Sequence, residues 1–406
     1  MSGAPVQVGA RRATFILAAS QAIVGSAAPI AFALGALSGH YLLAADKSLS
    51  TLPVTGFTVG VALGAIPAAT IIKRVGYRFG FQAGTAVTAI GGVLTTLGLL
   101  EFSFWLFVAG MLVLGFGGAF VQQVRFAAAD YAPPAYKARA IAMVLAGGIV
   151  TAVLGPQIVI FTRDLMAPVM FAGSFAAIVG LAAAGALVLA FLPPRAAGDG
   201  SVSGLDGPAR PLGEIMRQPR FVIGLVCGVG TYALMSFVMT GAPLAMVGCG
   251  FSPDEATLGI SWHVMAMFAP SFFTGRLIAR FGAEAVVALG LALLVACGLV
   301  GLSGIQLWQF WTALILLGLG WNFGFIGTTA IVAETYRPSE QGKVLGVHDF
   351  ILFGTVALAS FLSGVVYEKW GWEALNWVTF PVVLLCVAGL VGLRIVTRRA
   401  AAFSGT

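Results

Sequence analysis

The sequence has few charged residues, few histidines and few cysteines for its length. Only 9% of its 406 residues are Asp, Glu, Lys or Arg, and it has four Cys and three His. So low a charge content excludes an ordinary soluble globular protein. The cysteines show no CxxC or zinc-type spacing, so they indicate neither a zinc site nor a redox compartment.

Further absences limit the function. No segment matches the phosphate-binding pattern GxxxxGK[ST], so we expect gradients rather than ATP hydrolysis to supply any energy. The apolar segments contain no nucleophile–base or paired-carboxylate arrangement, so we expect no enzymatic activity. The net charge of +7 does not indicate a nucleic-acid partner, because the basic residues lie in short loops rather than in one stripe.

What the sequence does contain is apolar residues, which make up 59% of the chain, at a mean hydropathy of +0.99. Apolar runs of about 20 residues are long enough to cross a bilayer as helices. We predict an all-α polytopic membrane protein with twelve transmembrane helices in two six-helix bundles, 1–192 and 220–406, joined by a polar cytoplasmic linker, 193–219. The predicted spans are approximately 14–37, 52–72, 79–99, 104–128, 139–161, 167–192, 220–246, 257–279, 283–304, 308–333, 343–366 and 374–395.

The basic residues predict the orientation. Most Lys and Arg fall on the side of the two termini and the linker, whereas the opposite side holds only Lys47, Arg163 and Lys369. Because cytoplasmic loops are enriched in basic residues, we expect both termini and the linker in the cytoplasm.

The two halves repeat each other. Residues 72–76 (IKRVG) after span 2 correspond to residues 278–282 (IARFG) after span 8. Residues 130–133 (DYAP) after span 4 correspond to residues 334–338 (ETYRP) after span 10. The pattern indicates duplication of a six-helix unit, an arrangement in which two bundles rock about a central site.

Four residues of spans 7 and 8 form a candidate metal site. Met235 and Met239 lie four apart on one span, and His263 and Met267 lie four apart on the next, so each pair shares a helix face. At about 1.5 Å per residue the two pairs match in depth. Thioethers and imidazole are soft ligands that suit cuprous copper.

The same residues allow a different interpretation. A membrane Met commonly fills gaps in packing, and a buried His can be satisfied by a hydrogen bond with incidental Met neighbours. Ser236 and Thr240 lie beside the Met pair and could equally mark a pocket for a small polar solute. From the residues alone, both a metal site and an organic-solute pocket stay open.

Two weaker groups of candidates complete the site prediction. Accessory thiols near a copper path would be Cys227 and Cys249, although a membrane Cys is often only a small apolar residue. Charged or titratable residues near the cytoplasmic ends of spans 4 and 11 would form a gate or a proton relay, or an ion pair between the halves. These residues are Arg125, Asp130, His348 and Asp349.

Residues 74–78 (RVGYR) resemble the basic loop after the second helix of the major facilitator superfamily, with Lys73 where that family usually has Asp. The pentads 235–239 (MSFVM) and 263–267 (HVMAM) resemble the paired motif of its CcoA-type copper importers. This resemblance implies Met235, Met239, His263 and Met267 as copper ligands.

The resemblance also implies a function. It is copper import by alternating access across the bacterial inner membrane, to supply haem–copper oxidase assembly. Copper would be the transported substrate, with no permanent cofactor, and would pass to a cytoplasmic copper chaperone or a low-molecular-weight thiol. The alternative within the same superfamily is a transporter or exporter of a small organic solute or drug.

Overall fold

The computed structural model describes residues 3–44, 46–133, 136–194 and 210–404, and this part of the chain is helical with no strand. The all-α prediction is therefore confirmed. The helices are α1 Gly3–Gly25, α2 Ala27–Leu42, α3 Leu52–Leu100, α4 Phe104–Gln122, α5 Val124–Tyr131, α6 Lys137–Thr162, α7 Ala172–Leu189, α8 Leu212–Met216, α9 Pro219–Gly248, α10 Pro253–Phe268, α11 Ser271–Phe281, α12 Ala283–Leu302, α13 Leu307–Ala333, α14 Gln341–Trp377 and α15 Thr379–Ser404. A 3₁₀ turn at Pro338–Glu340 precedes α14.

Nine helical segments in the described ranges are long and apolar enough to cross a membrane, and the bent pair α10–α11 makes a tenth. Two of them are too long for one crossing. Helix α3 has 49 residues, or about 74 Å at about 1.5 Å per residue, and Lys343–Ile395 has 53 residues. They break at Gly76, with φ of 80°, and Gly371, with φ of 73°. Because each crosses twice, the ten segments account for the predicted twelve crossings.

The internal repeat is visible in the backbone. Gly76, inside α3, has φ of 80° and ψ of 167°. Gly282, which follows α11, has φ of 85° and ψ of 153°. A residue with a Cβ atom is strained at such positive φ values. Each copy of the repeat therefore needs glycine where its chain turns into the following span. The sequence similarity of 72–76 and 278–282 thus has a conformational cause.

The helices of each half pack mainly with each other, and some pairs pack backbone to backbone. A Cβ atom at Gly115 of α4 would lie only 1.9 Å from the carbonyl oxygen of Phe57 on α3. Glycine at this crossing lets the two helices approach closely, as is common in membrane bundles.

Most of the predicted linker, residues 195–209, lies outside the described residues. Its last part begins at Arg210, which continues into the short helix α8. The Arg210 guanidinium donates to the Glu340 carboxylate, with 2.7 Å between Nη2 and Oε2, and to the Thr335 carbonyl at 3.0 Å. We call the end of the bundle that carries this segment the linker end. The opposite end, with the loops at 46–51, 163–171 and 249–252, is the distal end.

Candidate substrate site

Three helix breaks surround one central cavity. A first membrane segment is interrupted between α1 and α2, a second between α4 and α5, and a third bends by 42° between α10 and α11. Gly25, Gln122 and Phe268 are the last residues before these breaks, and all three line the cavity. The linking residues Ser26 and Gln123 keep right-handed helical φ and ψ, so the first two breaks are local kinks and only the third is a bend of more than 40°. All three deviations from a regular helix meet one cavity, which makes it the candidate binding site.

Proline accounts for two of these breaks. Pro29 lies in the first turn of α2 and Pro270 directly precedes α11. A proline lacks the backbone N–H of a continuous helix and its ring crowds the preceding turn. The break at Gln123 between α4 and α5 contains no proline, and the structure offers no comparable local cause for it.

The cavity lies between the two halves and contains about 1190 Å³ of empty space, counted together with its part open to solvent. The larger and polar side chains of the N-terminal wall are Gln21, Phe32, Phe57, Thr58, Thr88, Gln122 and Thr151. Those of the C-terminal wall are Tyr232, Met235, Ser236, Met239, Met267, Phe268 and Phe353.

Within the described chain, no charged residue and no histidine is among the residues that line this cavity. Arg125 and Asp349 act electrostatically on the lining residue Tyr232, but neither side chain lines the cavity. A buried charge on a substrate would therefore meet no counter-charge among the lining residues. Because an unpaired charge is costly to remove from water, the cavity suits an uncharged solute.

The C-terminal wall carries a fixed aromatic surface. The Tyr232 ring makes edge contacts with Trp321, Phe325 and Phe353, at centroid distances of 5.3, 5.1 and 5.9 Å. Trp321 and Phe325 stack on each other at 5.2 Å. Such contacts restrict the rotation of Tyr232, so this part of the wall is a preorganised aromatic surface.

The cavity is closed toward the distal end. Ser261 of α10 donates to the Ala152 carbonyl of α6 at 2.6 Å, and Thr51 donates to the Phe361 carbonyl of α14 at 3.1 Å. Both hydrogen bonds join the two halves on the distal side of the cavity. If the linker end is cytoplasmic, as the basic residues predict, the closed end is the outer one.

The four predicted metal ligands are divided. Met235, Met239 and Met267 are buried and line the cavity. His263 is fully buried but is not among the lining residues. Its Nδ1 lies 2.8 Å from the Leu314 carbonyl of α13, and because a carbonyl only accepts, Nδ1 carries the proton. Nε2 is then a bare acceptor, and it has no hydrogen-bond partner in the described structure.

The two predicted accessory thiols lie away from the cavity lining. The buried Cys227 of α9 packs against α15, with its Sγ 3.6 Å from the Cys386 carbonyl. Cys249 is exposed beyond the distal end of α9. The structure therefore does not bring these thiols to the methionines.

The predicted gate residues fall into two places. Asp130 accepts a hydrogen bond from the Tyr77 hydroxyl within the N-terminal half. In the C-terminal half, His348 Nδ1 lies 2.9 Å from Asp349 Oδ1. Arg125 lies near enough to Asp349 to interact with it electrostatically across the two halves. Their role as a gate or relay stays a prediction.

Sequence reasoning did not single out Gln21, Gln122 or Tyr232. The signals available were amide side chains inside apolar segments, with Gln21 four residues before Gly25 and Gln122 followed by Gln123. These positions became informative only because the tertiary structure brings them to one cavity.

Comparison with known proteins identifies the family. The model of the Major Facilitator Superfamily matches residues 13–267 and 224–404. The chain is 49% identical over 395 residues to the riboflavin transporter RfnT of Brucella anthropi, which covers 97% of this chain and 98% of that protein. It is also 29% identical over 371 residues to the uncharacterized MFS-type transporter YddS of Bacillus subtilis, over 86% of this chain and 84% of the relative.

A solved structure shows the same fold. The xylose transporter XylE of Escherichia coli, in a partially occluded inward-open conformation, superimposes with a TM-score of 0.67 at 13% identity. The similarity covers 92% of this chain and 96% of that one. The chain is thus a multi-pass membrane transporter and belongs to the Major Facilitator Superfamily.

Proposed function

We propose that the chain transports a neutral, planar organic solute of the riboflavin type across the bacterial inner membrane. The observation that carries this proposal is the 49% identity to a riboflavin transporter over almost the full length of both proteins. It favours the organic-solute alternative over copper import, since neither RfnT nor YddS nor XylE is named as a copper transporter.

The chemistry of the cavity supports the proposal. Riboflavin combines a flat, uncharged ring system with a polyhydroxyl tail. The Tyr232 face and the thioethers of Met235 and Met239 supply apolar contact for a ring. The amides of Gln21 and Gln122 supply hydrogen-bonding groups. A flavin phosphate would bring charge into a wall that has none to pair with it.

The proposed direction is uptake by alternating access. The solute enters when the distal end is open, the halves rock, and the solute leaves from the linker end while the distal end is closed. The linker end is cytoplasmic in this proposal because of the basic residues in its loops. The free energy comes from a solute or ion gradient, since the chain has no phosphate-binding motif for ATP.

Copper remains a second candidate on one specific observation. Three thioethers, from Met235, Met239 and Met267, come together in one buried wall. Such a set is suited to cuprous ion. His263, however, does not line the cavity, so its unpartnered Nε2 would have to move toward the three thioethers to complete the predicted ligand set.

The test is accumulation of radiolabelled riboflavin in a bacterial strain that cannot synthesise riboflavin. We expect uptake that depends on the expressed chain and that excess unlabelled riboflavin abolishes. Flavin mononucleotide should compete at least tenfold less well, because its phosphate is charged. Copper uptake is measured in the same cells. Copper accumulation without riboflavin accumulation would overturn the proposal.

Two matched glycine variants show whether the solute uses the cavity. Gly118→Leu places a side chain on a cavity-lining position of α4, whereas Gly180→Leu places it on α7 where nothing lies within 4 Å. We expect the first to reduce uptake more than tenfold and the second to leave it near the wild-type level, at equal amounts of protein in the membrane.

A further inference from the structure

The hydrogen-bonding groups of the N-terminal wall are not equally available to a substrate. The hydroxyls of Thr58, Thr88 and Thr151 each donate to the carbonyl four residues before them, at 3.1, 3.0 and 3.0 Å. The carboxamides of Gln21 and Gln122 make no hydrogen bond to the described residues. The two amides are therefore the groups on this wall whose donors and acceptors are free.

Contacts place Gln21 at the level of Phe268. The Gln21 carbonyl accepts from the Thr151 hydroxyl of α6 at 3.1 Å. Gly148, one turn before Thr151 on the same helix, faces the Phe268 ring, since a Cβ atom there would lie 3.6 Å from it. Gln21 is thus held close to the bend that ends α10.

Contacts also connect Tyr232, on the opposite wall, with the bend that ends α10. Its ring touches Trp321, and the adjacent Asn322 donates to the Met267 carbonyl at 2.6 Å. Met267 is followed directly by Phe268, whose ring lies next to Gly148 on the helix that contacts Gln21. Tyr232 and Gln21 thus line one cavity from opposite halves, one with an aromatic ring and the other with a free carboxamide.

Gln21 is also confined. A Cβ atom at Gly25 would lie 3.2 Å from Gln21 Nε2, so the amide rests over the glycine at the end of α1. A carboxamide has one acceptor oxygen and two N–H donors side by side. This arrangement is complementary to an imide edge, where an N–H lies beside a carbonyl, in the way that amide side chains read a nucleobase edge.

We propose that Gln21 reads the imide edge of the substrate ring while Tyr232 supports its face, which makes Gln21 the residue that selects a flavin over ring systems without that edge. The assignment rests on the proposed function. Gln122, the other free amide of this wall, lies at the end of α4, and in this arrangement it serves the hydroxyl tail.

The experiment compares riboflavin with N3-methylriboflavin, which lacks the imide N–H. Both are measured as competitors of riboflavin uptake and as ligands of the purified protein, by quenching of flavin fluorescence. We expect the wild-type protein to bind riboflavin about tenfold more tightly than N3-methylriboflavin, because the methylated compound cannot form the hydrogen bond from the imide N–H. The Gln21→Leu substitution should weaken riboflavin binding about tenfold, and the variant should bind both flavins equally tightly.

Gln122→Leu is the matched control, because it removes an amide from the same wall. This substitution should weaken the binding of both flavins by the same factor and so keep the preference for riboflavin. A Gln21→Leu protein that keeps the preference overturns the assignment of Gln21 and leaves riboflavin transport standing. A wild-type protein that neither accumulates nor binds riboflavin overturns the proposed function and this assignment with it.

Discussion

Arg163 and Asp254 join the two halves at the distal end through an ion pair, with 2.9 Å between Nη1 and Oδ1. Arg163 directly follows α6 and Asp254 lies in the first turn of α10. Opening the distal end requires these two helices to separate, so the pair stabilises only the state in which this end is closed. It therefore biases the transporter toward the conformation described here.

Asp254→Asn should shift the population toward the distal-open state about two- to fivefold, the range for a partly exposed ion pair. The measurement uses Ser236→Cys as a reporter inside the cavity, in a Cys249→Ser background that removes the exposed native thiol. A membrane-impermeant maleimide added from outside should label the reporter faster by that factor.

Asp164→Asn is the control for this shift. The Asp164 carboxylate also lies close to Arg163, at 3.1 Å from Nε, but it belongs to the same half and the same loop. Its removal should leave the labelling rate unchanged. Equal acceleration by both substitutions would mean that general surface charge, not the contact between the halves, sets the rate.

A disulfide between α14 and the start of α3 should lock the distal end. A Cβ atom at Gly364 would lie 3.1 Å from Thr51 Cβ, and disulfides need about 3.5–4.5 Å, a small adjustment. Thr51→Cys/Gly364→Cys in the Cys249→Ser background should lose uptake under oxidation and recover it with dithiothreitol. Uptake that persists with the disulfide formed would contradict alternating access at this end, and each single-cysteine variant serves as a control.

The stability of the linker contact should depend on pH. Hydrogen bonding from Arg210 holds the pKa of Glu340 well below its usual value of 4.5. In the unfolded chain the Glu340 carboxylate takes up a proton near pH 4.5, whereas in the folded chain it does so only at lower pH. The stabilisation is therefore complete above pH 4.5 and declines as the pH falls below it. Thermal unfolding of the purified protein between pH 3.5 and 7 measures this decline.

Two separate Glu-to-Gln substitutions distinguish the Arg210–Glu340 contact from another ion pair at the linker end. Glu340→Gln should lower the midpoint of unfolding at pH 7 and flatten its dependence on acid. Glu334→Gln, at an exposed carboxylate paired with Arg220, should change both far less. If the two substitutions lower the midpoint of unfolding equally, the Arg210–Glu340 contact stabilises the protein no more than an exposed ion pair does.

The thioethers separate the organic-solute proposal from copper transport. Replacing Met235, Met239 and Met267 together by Leu keeps the apolar volume and removes the sulfur ligands. We expect riboflavin uptake to stay within about threefold of wild type, since Leu and Met are similar in size. Loss of copper uptake in this variant, with copper transported by wild type, would instead support the metal site.

His263→Ala does not test a ligand role by itself. His263 Nδ1 bonds the Leu314 carbonyl, so its loss leaves a buried carbonyl without that donor and loosens α10 against α13. His263→Asn offers an N–H of similar reach, and comparison of the two variants separates packing from metal binding. Copper uptake retained in His263→Asn would exclude the imidazole as an essential ligand.

The apolar runs and the repeat of 72–76 at 278–282 determined the all-α class, the twelve crossings and the duplication. Hydropathy and positive-φ glycines act locally, so they can be recognised without knowing what packs against them. The spacing of Met235 and Met239 likewise predicted a shared helix face, and both line the cavity with Met267.

Only the tertiary structure decided what these faces meet. His263 lies four residues before Met267 yet bonds α13, because the rotation of a helix is set by its neighbours and not by spacing within it. Gln21 carries no signal in an apolar segment until the fold brings it to the same cavity as Gly25, Gln122 and Phe268. The sequence alone determined a duplicated membrane transporter. The convergence of three kinked segments on a cavity with uncharged lining residues, which depends on contacts between distant segments, decided which residues can face a substrate.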